Sequence, residues 1–117
     1  MGLRTMLLLM LLAALAQGAW VESTLDAPGG DIGGLGWENG SLWAVDRSLD
    51  RVYEIDPSSG EVIQSFDMSI SSSQNPTGLA VENGVVYVGT WDNSTTGYVY
   101  KYNLSGGYQG VVSMCGG

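Results

Sequence analysis

Histidine is absent from this sequence of 117 residues, which also contains only four basic residues and a single cysteine. Without histidine the chain cannot form a serine–histidine–aspartate relay, a cysteine–histidine pair or a histidine-ligated metal site. The formal net charge is −8, and a chain this acidic has no electrostatic footprint for nucleic acid or an anionic membrane surface. The lone Cys115 cannot form an internal disulfide; it stays free, pairs with another chain, or has its partner outside this sequence.

A single long apolar run, residues 6–16, lies near the N-terminus. Arg4 precedes it, and the small residues Ala16 and Gly18 end it, as in a secretory signal peptide. A membrane anchor is the alternative, but this run is too short to span a bilayer, which needs about 20 residues. The sequence therefore predicts a cleaved signal peptide over residues 1–18, no membrane span after its removal, and a secreted protein that is extracellular or periplasmic.

Two copies of one sequence pattern fill most of the rest of the chain. The first copy, about residues 33–66, contains four short apolar runs separated by turn signals, of which Asn39-Gly40 is typical of a tight hairpin. The second copy, about residues 77–114, repeats the first at an offset of 44 positions, which becomes 47 after an enlarged loop at residues 90–97. No helical period competes with this alternation.

Each copy predicts an antiparallel sheet of four strands, so the expected fold is all-β. A repeat of this length with four strands is typical of β-propeller blades. The expected strands are residues 34–38, 41–46, 51–56, 61–66, 77–82, 85–90, 97–103 and 109–114.

A ninth strand is expected ahead of the two copies. Val21 and Leu25 have the spacing of Val62 and Phe66 in the fourth run of the first copy. Residues 20–26 are therefore expected to form a lone outer strand that clasps the open edge of a propeller. The alternative is an exposed linker after the signal peptide.

The pattern Asp46-x-x-x-Asp50-Arg51-Val52 resembles the blade repeats of the NHL, YncE-like and SMP-30 (gluconolactonase)-like propellers. The turn Tyr53-x-Ile55-Asp56-Pro57-x-x-Gly60 is similar to that of the YncE-like repeats. The second copy departs from the pattern, with Thr90 in place of Asp46 and Tyr98 where arginine would stand. The resemblance implies a partial β-propeller over residues 19–117, with one four-stranded blade in each copy.

Two blades cannot close a propeller, which typically has about 4–8. Each blade would also leave apolar faces in water. The chain is therefore expected to be a fragment of a larger propeller, and its last residues, Cys115-Gly116-Gly117, favour this interpretation. The expected partners are further blades of the same chain or, alternatively, identical copies.

The sequence favours a secreted binding or scaffold module over an enzyme, because no complete catalytic constellation is present. The alternatives are a segment of a gluconolactonase-like hydrolase and a two-bladed oligomeric lectin. The propeller group of this resemblance includes lactonases, lyases, adhesins and binding scaffolds, so the resemblance implies a fold rather than one activity.

The candidate ligand-binding residues lie in loops expected at one end of the blades: Asp46, Asp50, Trp91 and Asp92. An exposed Trp91 beside polar side chains would stack on a sugar ring, whereas the alternative is that it packs between blades. The acidic composition also suits a cationic ligand. Asp46 and Asp50 would suit calcium, which needs about six oxygen ligands, but no dense acidic run accompanies them, and no other cofactor is expected.

Three asparagines stand in glycosylation sequons, namely Asn39, Asn93 and Asn103, while the sequon at Asn75 is blocked by Pro76. All three are expected at turns or strand ends. Their modification depends on whether the source organism has the machinery.

Overall fold

The computed structural model describes residues 24–70, 74–93 and 96–115, which form eight β-strands and no helix. The strands are β1 (Ile32–Glu38), β2 (Ser41–Asp46), β3 (Arg51–Ile55), β4 (Val62–Asp67), β5 (Asn75–Glu82), β6 (Val85–Trp91), β7 (Thr96–Asn103) and β8 (Tyr108–Cys115). They form two antiparallel sheets in chain order: the first sheet is β1 to β4 and the second sheet is β5 to β8. The predicted all-β class and the eight strands of the two copies are confirmed.

The predicted signal peptide lies outside the described residues, as do residues 20–23 of the predicted N-terminal strand. Residues 24–26 are described and form no strand. Leu25 instead packs on the turn between β3 and β4, where its Cδ2 lies 3.3 Å from a Cβ placed on Gly60.

None of the described residues belongs to a helix long and apolar enough to cross a membrane.

The hairpins β1–β2 and β5–β6 close through the same two-residue turn. Asn39 and Gly40 have φ angles of 50° and 78°, and Asn83 and Gly84 have φ angles of 50° and 79°. A tight turn with positive φ at both central positions matches the twist of the flanking strands, and asparagine followed by glycine tolerates that conformation best. The two Asn-Gly pairs therefore fix the register of both hairpins.

The turns after β3 and β7 are also alike, although their sequences differ. The Oδ1 atom of Asp56 accepts hydrogen bonds from Ser58 N at 2.8 Å and Ser58 Oγ at 2.8 Å. In the second sheet Oδ1 of Asn103 accepts them from Ser105 N at 3.0 Å and Gly107 N at 2.7 Å. Both aspartate and asparagine can form this turn, because it needs a short side chain that accepts a hydrogen bond from the backbone two residues on.

The two sheets pack face to face, with β1 against β5. The contact faces of the two sheets form one apolar core, built from Trp43, Val45 and Val52 of the first sheet and Val81, Val86 and Val88 of the second. Side chains alternate between faces along a strand, so each sheet also has an opposite side, which we name its open face. The open face of the first sheet carries Leu35, Trp37 and Leu42, and that of the second sheet carries Gly78, Tyr87 and Gly89.

The approach of β1 to β5 is close because Gly34 has no side chain. A Cβ placed on Gly34 would lie 3.1 Å from the Cα and carbonyl carbon of Gly78. Both atoms belong to the backbone of the facing strand and cannot rotate away. The separation of the sheets at this point is therefore set by a glycine.

We expect Gly34→Ala to lower the free energy of unfolding by about 1–3 kcal/mol, since the added methyl group overpacks the junction. Gly89→Ala in β6 is the matched control, because a Cβ there meets nothing within 4 Å. This control should be neutral or stabilise the chain by up to about 1 kcal/mol, as alanine is less flexible than glycine when unfolded. Urea titration at low protein concentration measures both; equal effects of the two substitutions would contradict the close packing.

Candidate functional site

A polar cleft opens at one end of the two sheets, where four loops meet. It has a volume of about 700 Å³. The residues that line it come from the segment before β1, from the loops β2–β3, β4–β5 and β6–β7, and from the adjoining strand ends: Asp31, Arg47, Ser48, Asp50, Gln74, Asn75, Thr77, Trp91 and Asn93. Of the residues predicted from sequence to bind a ligand, Asp50 and Trp91 line this cleft. Asp46 lies beneath it, and Asp92 is not part of its lining.

An ion pair forms one wall of the cleft. Nη2 of Arg47 donates to Oδ1 of Asp31 at 2.7 Å, and its Nε donates to the same oxygen at 3.1 Å. The Ser48 hydroxyl donates to the other carboxylate oxygen at 2.8 Å. These hydrogen bonds, first that of Arg47 and then that of Ser48, lower the pKa of Asp31 below its ordinary value. The wall thus presents a fixed pair of opposite charges rather than a lone carboxylate.

Asp46 supports the β2–β3 loop from below. Its exposed fraction is 1%, and its Oδ1 accepts hydrogen bonds from Ser48 N at 2.8 Å and Leu49 N at 2.9 Å. A Cβ placed on Gly29 would overlap its Oδ2, so the backbone of the segment before β1 covers it. Asp46 is therefore placed to hold the loop in shape rather than to meet a ligand.

The neighbouring cation makes a different pair. Nε of Arg51 donates to Oδ1 of Asp67 across the β3–β4 ladder at 2.7 Å. This pair raises the pKa of Arg51 further above its ordinary value. Arg51, which follows Asp50 in the sequence, therefore links β3 to the edge strand β4.

Asp50 is the acidic residue of the cleft whose pKa is raised, and the cause is first its partial burial and then repulsion from Asp46. Its backbone has a φ of 50°, which asparagine and aspartate tolerate better than other residues with a side chain. Its carbonyl oxygen accepts a hydrogen bond from Met68 N at 2.7 Å. The backbone of Asp50 thus holds the start of the β4–β5 loop in place, and the residue forms part of the cleft lining.

Trp91 ends β6 at the opposite wall, with 40% of its surface exposed. One edge of its ring packs on Gly97, where a Cβ would lie 3.8 Å from Cε3. Its carbonyl oxygen accepts a hydrogen bond from Nδ2 of Asn75 at 3.3 Å. Trp91 is therefore not enclosed between these two sheets, while the alternative, that it packs between blades, stays a prediction.

A buried hydrogen bond forms the base of the cleft on the side of the second sheet. The hydroxyl of Thr90 donates to Oε1 of Gln74 at 2.6 Å, and both residues are buried. Sequence reasoning missed four lining residues, namely Arg47, Ser48, Gln74 and Thr77. Arg47 carried the one usable signal, since it is among the few cations of the chain and lies in a loop expected at this end.

No group of three or more acidic or cysteine side chains is arranged to hold a metal ion within the described ranges. Calcium at Asp46 and Asp50 stays a prediction; Oδ1 of Asp46 already accepts two backbone hydrogen bonds.

The three sequon asparagines differ in their surroundings. Asn39 and Asn93 are exposed and have positive φ angles of 50° and 64°. Asn103 is half-buried, and its Oδ1 accepts from Ser105 and Gly107 in the turn before β8. The amide group of Asn103 is therefore engaged by its own turn, whereas that of Asn39 extends from the tip of a hairpin.

No protein-family model matches the chain, and a search of curated proteins finds no match. The resemblance to the NHL, YncE-like and SMP-30-like repeats therefore stays a prediction.

We expect Asp50→Asn to stabilise the chain at neutral pH by up to about 0.5 kcal/mol, the range usual for accessible positions. A carboxyl group whose pKa is raised in the folded state contributes stability at low pH, and that contribution is lost as the pH rises from its ordinary pKa of 3.8 through the raised value. Asparagine has no charge to bury and tolerates the same φ. The gain should therefore vanish as the pH falls.

Asp56→Asn is the matched control, with the opposite sign. Hydrogen bonds from Ser58 and Ser59 lower the pKa of Asp56, and its counterpart Asn103 shows that asparagine fits the turn. This substitution should lower stability at pH 7, with the loss disappearing as the pH falls below the ordinary pKa of 3.8. Urea titrations between pH 3 and 7 measure both; the same sign for the two substitutions would contradict this assignment of the two carboxylates.

Proposed function

We propose that the two sheets are adjacent blades of a β-propeller, and that the chain is a binding module whose ligand occupies the polar cleft. The repeat of four antiparallel strands, the face-to-face packing and the close approach of the first strands, β1 and β5, support the assignment as blades. The predicted signal peptide over residues 1–18 supports a secreted location.

The main support for a binding role is the difference in residue composition between the two ends of the sheets. At the end opposite the cleft, the turns at residues 39–40, 83–84 and 56–60 are explained by backbone geometry. At the cleft, four separate segments bring an indole, three amides, two hydroxyl groups, an ion pair and a further carboxyl group around one space. Turn geometry does not require an exposed tryptophan, so Trp91 needs another reason to be there.

A neutral saccharide is the ligand class that suits this lining best. Its hydroxyl groups both donate and accept, and the cleft offers donors on Arg47 and Asn75 and acceptors on Asp31 and Asp50. The apolar side of a sugar ring stacks on an aromatic face such as that of Trp91. The pairing of Asp31 with Arg47 lowers the net charge of the wall, which favours a neutral ligand over a cation. The volume of about 700 Å³ lies within the range of small-molecule sites.

We expect Trp91→Ala to weaken binding of a saccharide by about tenfold. An aromatic contact contributes about 0.5–1.5 kcal/mol beyond the area it buries, and 1.4 kcal/mol corresponds to a factor of ten. A glycan array identifies the saccharide, and calorimetry with that free sugar then gives the affinity of each variant.

Trp37→Ala is the matched control, because Trp37 is also exposed but lies on the open face of the first sheet, away from the cleft. It should bind the free sugar as the unchanged chain does. Absence of binding across the array, or an equal loss in both variants, would remove the saccharide proposal.

A hydrolytic role is the second candidate, and the raised pKa of Asp50 is the observation in its favour, since a general acid must hold its proton near the working pH. Two-carboxylate hydrolysis also needs a second available carboxylate, and those of Asp31 and Asp46 are engaged by Arg47 and by the loop backbone. Asp50→Asn discriminates the two roles: it would abolish hydrolysis of the glycosidic bond in a saccharide but preserve binding, because the asparagine oxygen still accepts a hydrogen bond.

A further inference from the structure

The two sheets stack in the same orientation rather than back to back. Trp43 and Val45 of the first sheet lie on its contact face, and their counterparts at the offset of 44, Tyr87 and Gly89, lie on the open face of the second sheet. Conversely, Val86 of the second contact face corresponds to Leu42 of the first open face. The junction inside the chain therefore joins two different kinds of face, and the other face of each kind has no neighbouring sheet. On the first sheet, part of this open face, around Ala44 and Ile55, is already buried beside residues 25–28.

The open face of the first sheet shows what the missing neighbour would cover. Leu35 and Trp37 are 61% and 59% exposed. Their counterparts, Leu79 and Val81, pack into the core against the first sheet, and Val81 is only 7% exposed. The same strand position is thus buried where a neighbouring sheet is present and exposed where none is.

The open face of the second sheet has the shape of that missing neighbour. Gly34 allows β1 to approach β5, and Gly78 is its counterpart at the offset of 44. A Cβ placed on Gly78 or on Gly89 meets nothing within 4 Å. On this face, β5 presents a glycine where β1 presents one in the internal junction. Tyr87 lies beside it, at the position that corresponds to Trp43.

We propose that the chain associates head to tail with a second copy of itself, the open face of the second sheet in one copy packing on the open face of the first sheet in the next. The internal junction is the template for this contact, because each open face is the repeat counterpart of a face already paired within the chain. A single molecule carries both halves of the contact, as a heterologous interface requires. The contact would cover Leu35 and Trp37 with the strand that contains Gly78.

Residues 24–28 limit this association. Phe66 at the end of β4 packs on the β7–β8 turn, where a Cβ on Gly106 would lie 2.6 Å from its ring, and Leu25 packs in the same way on the β3–β4 turn at Gly60. Val112 pairs with Val99 as Phe66 pairs with Val52, so Val112 of the incoming copy would reach the position that Leu25 holds. The incoming sheet must displace Leu25 before it docks fully.

Charge also opposes the contact. Each copy has a formal net charge of −8, so two copies repel one another at low ionic strength. Salt screens that repulsion and leaves the apolar contact in place. The association should therefore strengthen as salt is added, which is the reverse of what a contact held by ion pairs would do.

Sedimentation velocity of the purified chain over a range of protein and salt concentrations tests the proposal. The unchanged chain should form species larger than a monomer as concentration and salt rise. Leu25→Ala should associate severalfold more tightly, and Gly78→Val at least about tenfold more weakly, because the added side chain overpacks the contact. Gly30→Val is the control. A Cβ on Gly30 also meets nothing within 4 Å, but Gly30 lies in the loop before β1 and not on either open face, so association should be unchanged.

A mixing experiment tests the head-to-tail geometry. Gly78→Val blocks the open face of the second sheet, and Leu35→Asp blocks that of the first sheet, so each variant alone should be a monomer. An equal mixture should form a one-to-one dimer, because each variant retains the face that the other lacks. Unchanged urea titrations at low protein concentration would show that both variants are folded.

Monomers of the unchanged chain and of Leu25→Ala under every condition would overturn the proposal, and the open faces would then belong to further blades of a larger protein. Association of Gly78→Val as tight as that of the unchanged chain would overturn it as well, as would a mixture that stays monomeric. None of the substituted residues lines the cleft, so failure of the association and failure of saccharide binding are distinguishable.

Discussion

The close approach of β1 to β5, which Gly34 permits, is the contact on which the rest of the structure depends. It sets the two sheets at a distance where Trp43 and Val45 reach Val86 and Val88 and exclude water. Burial of apolar side chains stabilises a small chain only if both surfaces come within contact distance. The same approach brings the loops of both sheets to one end and so creates the cleft between them. A side chain at one position of β1 would therefore disturb the core and the site together.

Buried polar groups then give the cleft its shape. At the end of β2, Asp46 accepts hydrogen bonds from Ser48 and Leu49; at the matching position of β6, Thr90 donates to Gln74. In both sheets a polar side chain near the end of the second strand holds a loop in place rather than adding to the apolar core. Burial without these partners would be unfavourable by about 1–3 kcal/mol for each group. The conformation of the loops at the cleft is thus set by hydrogen bonds from side chains at the strand ends beneath them.

Much of the fold could be predicted because its determinants are local. Asn39-Gly40 and Asn83-Gly84 specify hairpins, and the alternation between them specifies strands, whatever the rest of the chain does. The position of Leu25 could not be predicted. The spacing of Val21 and Leu25 matches that of an outer strand, whereas the contact of Leu25 with Gly60 depends on the path of the chain before β1. Asp50 and Trp91 were predicted from their loops and line the cleft, but no local pattern separates a cleft carboxylate from a supporting one such as Asp46. That distinction depends on burial, which the sequence neighbourhood alone does not determine.

The enlarged loop after β6 shows where the fold tolerates additional residues. In the first sheet Asp46 pairs directly with Arg51, whereas in the second sheet Trp91 pairs with Gly97, and the strands on either side keep an unbroken ladder. The additional residues thus lengthen the tip of a hairpin without moving the register beneath it. Closing a longer loop costs little, about 0.6 kcal/mol for each doubling of its length. The β6–β7 tip is therefore a suitable insertion point for engineered sequence, such as an epitope or a second recognition loop. Residues added there would change the rim of the cleft at little cost in folding stability.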